Sequence, residues 1–282
     1  MGTERQVGGP LADRGDARPV VRRHRLSTRL WHWINAAVMT IMLMSGLMIF
    51  NAHPRLYWGN YGANPDTPWL EIGSDDGAGF LRLGGLTVPT TGVLGVWSDS
   101  RGDLINTAFP GWATIPSTYD LALSRHWHLT FAWIFAAGVV VYLLWSLVNR
   151  HFDRDLLPRR GELAPTYIWA DIRQHAMLRF PAGEAARRYG ILQKLAYLGV
   201  LAILLPTLVL SGLTMSPAMN AAWPWLVELF QGRQSARSVH FICATLAVLF
   251  VVVHLAMVVL AGPINEVWSM ITGRFRLPRG KH

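Results

Sequence analysis

Four stretches of this chain, residues 30–50, 127–148, 191–213 and 239–261, are too long and too apolar to be ordinary surface helices. Each approaches or exceeds the roughly 20 residues that carry a helix across a hydrocarbon core. In lipid the backbone must satisfy its own hydrogen bonds, which a helix does within one segment. The expected fold is therefore an all-α membrane protein, a bundle of four transmembrane helices. The connections are polar and rich in Gly and Pro, and none is long enough to form a separate soluble domain. One membrane domain is expected over residues 22–275, after a polar, disordered segment 1–21 and before a short tail, 276–282.

The net charge of +9 would suit a nucleic-acid binder, so its distribution matters. If residue 1 is cytoplasmic and all four runs cross, the inward segments carry 7, 8, 1 and 4 basic residues. The outward segments keep only Arg55, Arg82, Arg101, Arg125, Arg233 and Arg237 of the 26. This is the positive-inside pattern. It predicts cytoplasmic N- and C-termini and a long periplasmic loop over residues 51–125. No basic, aromatic-laced soluble surface remains to bind nucleic acid. The single cysteine, Cys243, rules out an internal disulfide, a CxxC metal site and a CxxCH haem attachment. No apolar segment follows the early charges as a signal peptide would require, so the first span is expected to act as an uncleaved insertion signal.

Histidines supply the chemistry. His240 and His254 lie fourteen residues apart in the fourth run. At 3.6 residues per turn they return to within about 40° of one face, separated by about 21 Å along the axis. That is too far for one metal ion and suits two cofactors stacked across a bilayer. Ionisable groups at this depth are costly and point to function. Depth pairs His254 with His32 of the first run, and His240 with His126 or His128 of the second. Two imidazoles on one iron leave no open position, an arrangement for electron transfer. The implied cofactors are two haems. Span three has no histidine and is expected only to pack, with a kink at Pro206.

Arg29, Arg125 and Arg237 each precede a candidate ligand, His32, His128 and His240, by three residues. Such pairs share a helix face, so each guanidinium stands toward the water, where haem propionates would need a cation. The pattern favours His128 over His126, although arginines also flank spans simply to snorkel. Gly46, Gly138, Gly199 and Gly212 could admit a flat cofactor or merely close helix packing. The Met stripe of span one reads as packing. His24, Arg29 and Asn35 are candidates for contact with a quinone at the inner end. His53 reads as a structural cap, and His151, His175 and His282 as solvated loop residues. PTYIWADIRQHAMLRF suggests a short interfacial helix, and LRLGGLTVP a pair of strands. No internal repeat stands out.

The motifs RLWHWINA, MSGLMIFNAHPRLYWG and RHWHLTFAW, with His240 and His254, resemble bacterial di-haem cytochrome b subunits. These serve nickel–iron hydrogenase, formate dehydrogenase and thiosulfate reductase. The resemblance covers residues 22–275. It implies two haems b, ligated by His32 with His254 and by His128 with His240, in the bacterial inner membrane. It also implies electron exchange between membrane quinone and a periplasmic redox subunit, often a molybdenum-containing oxidoreductase, docked on the long outer loop. Hydrogenase-type subunits often carry a further span and a different outer segment. Two rival readings are a ferric-reductase-like transmembrane oxidoreductase and a His-relay transporter. The first normally carries spaced His pairs on two helices and works with a flavin domain. The second would be colourless.

Overall fold

A computed structural model describes residues 20–150, 156–177 and 190–276 of the chain. Strand β1 (Val20–Arg22) leads into helix α1 (Leu26–Asn51), the first crossing. Strands β2 (Arg55–Leu56), β3 (Leu70–Asp75), β4 (Ala78–Leu83) and β5 (Leu86–Pro89) form an antiparallel sheet in that order. Strands β6 (Trp97–Ser98) and β7 (Leu104–Ile105) form a small second pair. Helix α2 (Leu121–Val148) returns, its N-terminus capped by the Asp120 carboxylate, which accepts from the Leu123 amide. The amphipathic helix α3 (Pro165–Ala176) follows at the terminal end of the bundle.

The third crossing, Ile191–Met215, is composite. Helix α4 (Ile191–Leu198) opens into a π-helical stretch, Gly199–Leu204, and resumes as α5 (Leu205–Met215). Pro206 lies in the first turn of α5, where its missing N–H costs least. The irregularity expected at the proline is thus taken up by wider turns just before it. Short helices α6 (Pro217–Ala222) and α7 (Trp225–Leu229) lead to the fourth crossing, α8 (Arg233–Ala261). Gly262, at φ 113°, turns the chain sharply into α9 (Pro263–Thr272), and β8 (Arg274–Arg276) then pairs with β1. The segments before the first crossing and after the fourth therefore meet at one end of the bundle.

Among the described residues, four helices are long and apolar enough to cross a membrane. Their most apolar windows are only 22 %, 17 %, 17 % and 11 % buried within the protein, leaving wide faces for lipid or cofactor. The shared core is a thin layer: Val38 of α1, Phe135 and Val139 of α2, Leu208 of α5 and Cys243 of α8. Met39 and Met42 pack against it, as the packing reading of the Met stripe requires. The edge of the Trp31 ring enters the notch left by Gly138, where a Cβ would come within 2.3 Å of it.

The loop corrects the all-helical expectation. Residues 55–105 carry two antiparallel sheets, including the LRLGGLTVP hairpin, with Leu83 opposite Leu86 and Gly84 in a left-handed conformation at φ 55°. This cap seats on the bundle through Leu56, Leu70 and Ile72, packed with Phe50 of α1 and Phe241 of α8. Polar ties reinforce the seat. Ser238 donates to the Tyr57 carbonyl at 2.6 Å and accepts from Trp69 Nε1 at 2.9 Å. Asn51 exchanges two hydrogen bonds with the Phe109 backbone. Apart from that hairpin, hydrophobic periodicity could not announce such short strands, because the burial of Leu56, Leu70 and Ile72 comes from the bundle beneath them.

Candidate functional site

The structure brings the four singled-out histidines together as two pairs. His32 of α1 faces His254 of α8 with ring centroids 6.3 Å apart and planes at 56°. His128 of α2 faces His240 of α8, also at 6.3 Å, with planes at 68°. A first-row metal lies about 2.0–2.1 Å from a histidine nitrogen and an imidazole has a radius of roughly 1.1 Å, so one metal between two opposed rings sets their centroids about 6.3 Å apart. Both pairs have that opening.

The donor set identifies what fits the opening. Among the described residues no group of three or more His, Cys, Asp or Glu side chains could hold a bare ion. Each pair supplies two nitrogens and nothing else. A haem iron, whose macrocycle supplies its other donors, would need just two imidazoles from the protein. The residues therefore fit haem and do not fit a free metal ion.

The loop-end pair has a built surround. His128 Nδ1 donates to the Met42 carbonyl at 3.0 Å, with Ser45 Oγ a second acceptor at 3.2 Å. His240 Nδ1 donates to the Leu208 carbonyl at 3.0 Å, with Ser211 Oγ at 3.2 Å. The Ser45 hydroxyl is free to accept because its own proton goes to the Ile41 carbonyl, and that of Ser211 to Leu208. Fixing the proton on Nδ1 leaves the Nε2 lone pair for a metal and holds the ring's direction. Beside each ring is a glycine: a Cβ on Gly46 would lie 3.3 Å from His128 Cε1, and one on Gly212 3.3 Å from His240 Cε1.

These contacts overturn two expectations. Span three does more than pack, since its Leu208 and Ser211 orient His240. The chain also contains an internal repeat. Met42, Ser45 and Gly46 of α1 receive His128 of α2, and Leu208, Ser211 and Gly212 of α5 receive His240 of α8, with identical spacing. Its sequence traces are the shared Ser-Gly-Leu at residues 45–47 and 211–213 and the arginine three residues before each ring, Arg125 before His128 and Arg237 before His240.

The terminal-end pair is built differently. His32 Nδ1 is buried without a hydrogen-bond partner among the described residues. Packing orients this pair: His32 lies edge-on to Trp33 at 5.1 Å, and Phe250 stacks on His254 at 6.2 Å.

The arginines diverge. Arg29 lines a cleft at the terminal end, its Nε donating to the Met270 carbonyl at 3.4 Å. Arg237 donates to the His53 carbonyl and lies over the Phe50 ring, tying α8 to the end of α1. Arg125 is exposed. His126 is exposed too, its Nδ1 turned back to the Ala122 carbonyl of its own helix, so His128 faces His240 in its place. Asn35 spends its amide on the Trp31 carbonyl. His53 stacks on Tyr57, and burial followed by Arg237 and Arg55 holds its pKa below the usual histidine range. Burial, with Arg23 next, does the same to His24. His175 lies on α3, half-buried beside the Asp171 carboxylate at 3.3 Å, and is no free loop residue. His151 and His282 lie outside the described residues.

A protein of Azospira oryzae named as a candidate protein-methionine-sulfoxide reductase subunit, YedZ1, is 26 % identical over 232 residues, covering 82 % of this chain and 87 % of the relative. No solved structure is significantly similar. The family model for prokaryotic cytochrome b561 matches residues 23–273, nearly the whole membrane domain, and the chain belongs to that family of haem b-binding membrane proteins.

Proposed function

We propose that this chain is the di-haem membrane subunit of a two-part oxidoreductase, exchanging electrons between quinone and a partner docked on its β cap. The observation that carries the reading is the pair of equal 6.3 Å openings between imidazoles on different helices. Haem b held at each pair supplies reversible one-electron transfer. The chain's own residues do the rest. His32 with His254, and His128 with His240, set the two positions. Met42 and Leu208 lock the loop-end rings. The apolar layer of Val38, Phe135 and Leu208 keeps water from the space between the pairs. Arg29, Arg125 and Arg237 are assigned to propionates.

The charge asymmetry supports a terminal end in the cytoplasm and a cap in the periplasm, across a bacterial inner membrane. Exposed aromatics on the loop side, Tyr61 and Trp112 above all, at 85 % and 79 %, support partner docking there. The name of the Azospira relative supports a protein-methionine-sulfoxide reductase as the class of partner, and the cytochrome b resemblance a molybdenum-containing one. Quinone is assigned to the terminal end, near His24 and Arg29.

The test is a pyridine haemochrome assay on the purified chain with oxidised and reduced spectra. Two low-spin haems b per chain are expected, falling to one in His240→Ala and in His254→Ala. A chain that stays colourless after reconstitution with haem would overturn the reading.

A further inference from the structure

At the terminal end of the bundle the β1–β8 ribbon, the start of α1 and the end of α9 enclose an open cleft of about 380 Å³. It is lined by Val20, Val21, Arg22, Arg29, Thr272 and Arg274: three guanidinium groups and no acid. The strand register sets Arg22 directly opposite Arg274. Like charges opposite one another across a two-stranded ribbon oppose its formation, yet both arginines line the cleft. Glu266, on the adjoining helix α9, is already engaged, because it pairs with Arg23 at 3.3 Å, and Arg23 also lies over the Phe275 ring. Among the described residues no acid pairs with Arg22, Arg29 or Arg274. Helix α1 adds to the positive field, since its N-terminus has no side-chain cap and no acid in its first turn.

The surroundings place the cleft at a lipid surface. Helix α9 exposes Ile264, Val267, Trp268 and Ile271, which recur at the spacing of a single helix face. A short helix with such a face lies in the boundary between headgroups and acyl chains. Trp33 of α1 reaches the same level, donating to the Met270 carbonyl at 3.2 Å. The cleft thus opens at headgroup depth beside an apolar surface suited to acyl chains.

From the opposed arginines and this depth, we infer that the cleft is a specific site for the headgroup phosphate of an acidic phospholipid. The guanidinium forks of Arg22 and Arg274 take the phosphate oxygens, and the acyl chains lie along α9. The lipid replaces a repulsion inside the ribbon with two charge-assisted contacts, so it fastens β1 to β8. The site does not depend on the haem assignment.

The test compares the wild-type holoprotein with Arg22→Glu, which gives Arg274 a carboxylate across the ribbon and so keeps the fold closed. Each is reconstituted in phosphatidylcholine vesicles with or without phosphatidylglycerol, then extracted for native mass spectrometry and thermal melting. The wild type is expected to retain one phosphatidylglycerol per chain and to melt higher with it. Arg22→Glu is expected to retain none and to melt alike in both lipids. Arg22→Gln with Arg274→Gln is the second variant, expected to match it. Equal lipid retention in all three proteins overturns the site. So does displacement of the lipid by inorganic phosphate alone, which would make it a free-anion site. Loss of haem in the variants with lipid retention unchanged would overturn it as well, marking the arginines as propionate partners.

Discussion

Ser45 and Ser211 occupy equivalent places in two helix pairs, each hydroxyl oxygen 3.2 Å from the Nδ1 of an imidazole on the neighbouring helix. The glycine after each serine is part of the same device. It clears the space into which the ring edge fits, so ring direction and backbone approach are set within two residues.

That clearance is small. A methyl group at residue 212 would meet His240 Cε1 at 3.3 Å, which a slight shift accommodates. Gly212→Ala is expected to keep its haem content with a modest spectral change. Gly212→Leu cannot fit without expelling the ring, and is expected to halve the haem per chain in a pyridine haemochrome assay. Full haem content in Gly212→Leu would show that His240 is no ligand.

The two sites should also differ in potential. Hydrogen bonds from Nδ1 to a carbonyl make an imidazole a stronger donor and favour oxidised iron. Both loop-end rings have them, whereas His32 Nδ1 has no partner among the described residues. The loop-end haem is expected to titrate at the lower potential. Optical redox titration of the wild type beside His32→Ala, which keeps only that haem, checks the order. Retention of the higher-potential step in His32→Ala would reverse the assignment.

In the cap, Glu71 is buried and held at 2.6 Å by both Arg55 and Arg82, which are themselves part-exposed. Glu71→Gln leaves two cations facing a neutral amide, at a cost on the order of 2 kcal/mol, below the range for fully buried pairs. Faster proteolysis between residues 55 and 90 is expected, with an unchanged visible spectrum. An equally resistant cap would mean that the apolar seat alone holds it.

His53 gives the cap a pH dependence. Its folded pKa lies below the ordinary value of about 6.5, so between the two values the unfolded chain binds the proton and the folded chain does not. Stability from this group is full above about pH 6.5 and falls with acidification until the lowered folded value is passed. His53→Gln removes the slope. Melting followed at about pH 7.5 and about pH 5.5 should show a larger acid-induced drop in the wild type than in the variant. Equal drops would place the titrating group elsewhere.

The crossings were legible because lipid leaves a long apolar run only one structure. Their starts were less so. Helices α1, α2 and α8 begin at Leu26, Leu121 and Arg233, in polar turns ahead of the apolar runs. Depth alone matched His32 with His254 but left His240 with His126 or His128; the arginine spacing favoured His128, and that is the ring that faces His240. The carbonyl and hydroxyl acceptors were hidden, because a serine inside a helix usually turns its proton to the preceding turn and says nothing of what its oxygen accepts. Ser-Gly-Leu occurs twice, but only contacts across helices reveal that its surroundings match. Of the cap only the LRLGGLTVP hairpin was legible, and the rest was hidden for another reason: residues such as Leu56 and Leu70 are buried by Phe50 and Phe241, far along the chain.

The pairing of Val20–Arg22 with Arg274–Arg276 has a consequence for assembly. The two strands can meet only if the chain has crossed the bilayer an even number of times between them. A span left out during insertion would strand β8 on the opposite side, and the ribbon could not form. Because β8 is also the last of these elements to be synthesised, its closure onto β1 works as a parity check on the finished topology, failed whenever an odd number of crossings is missing.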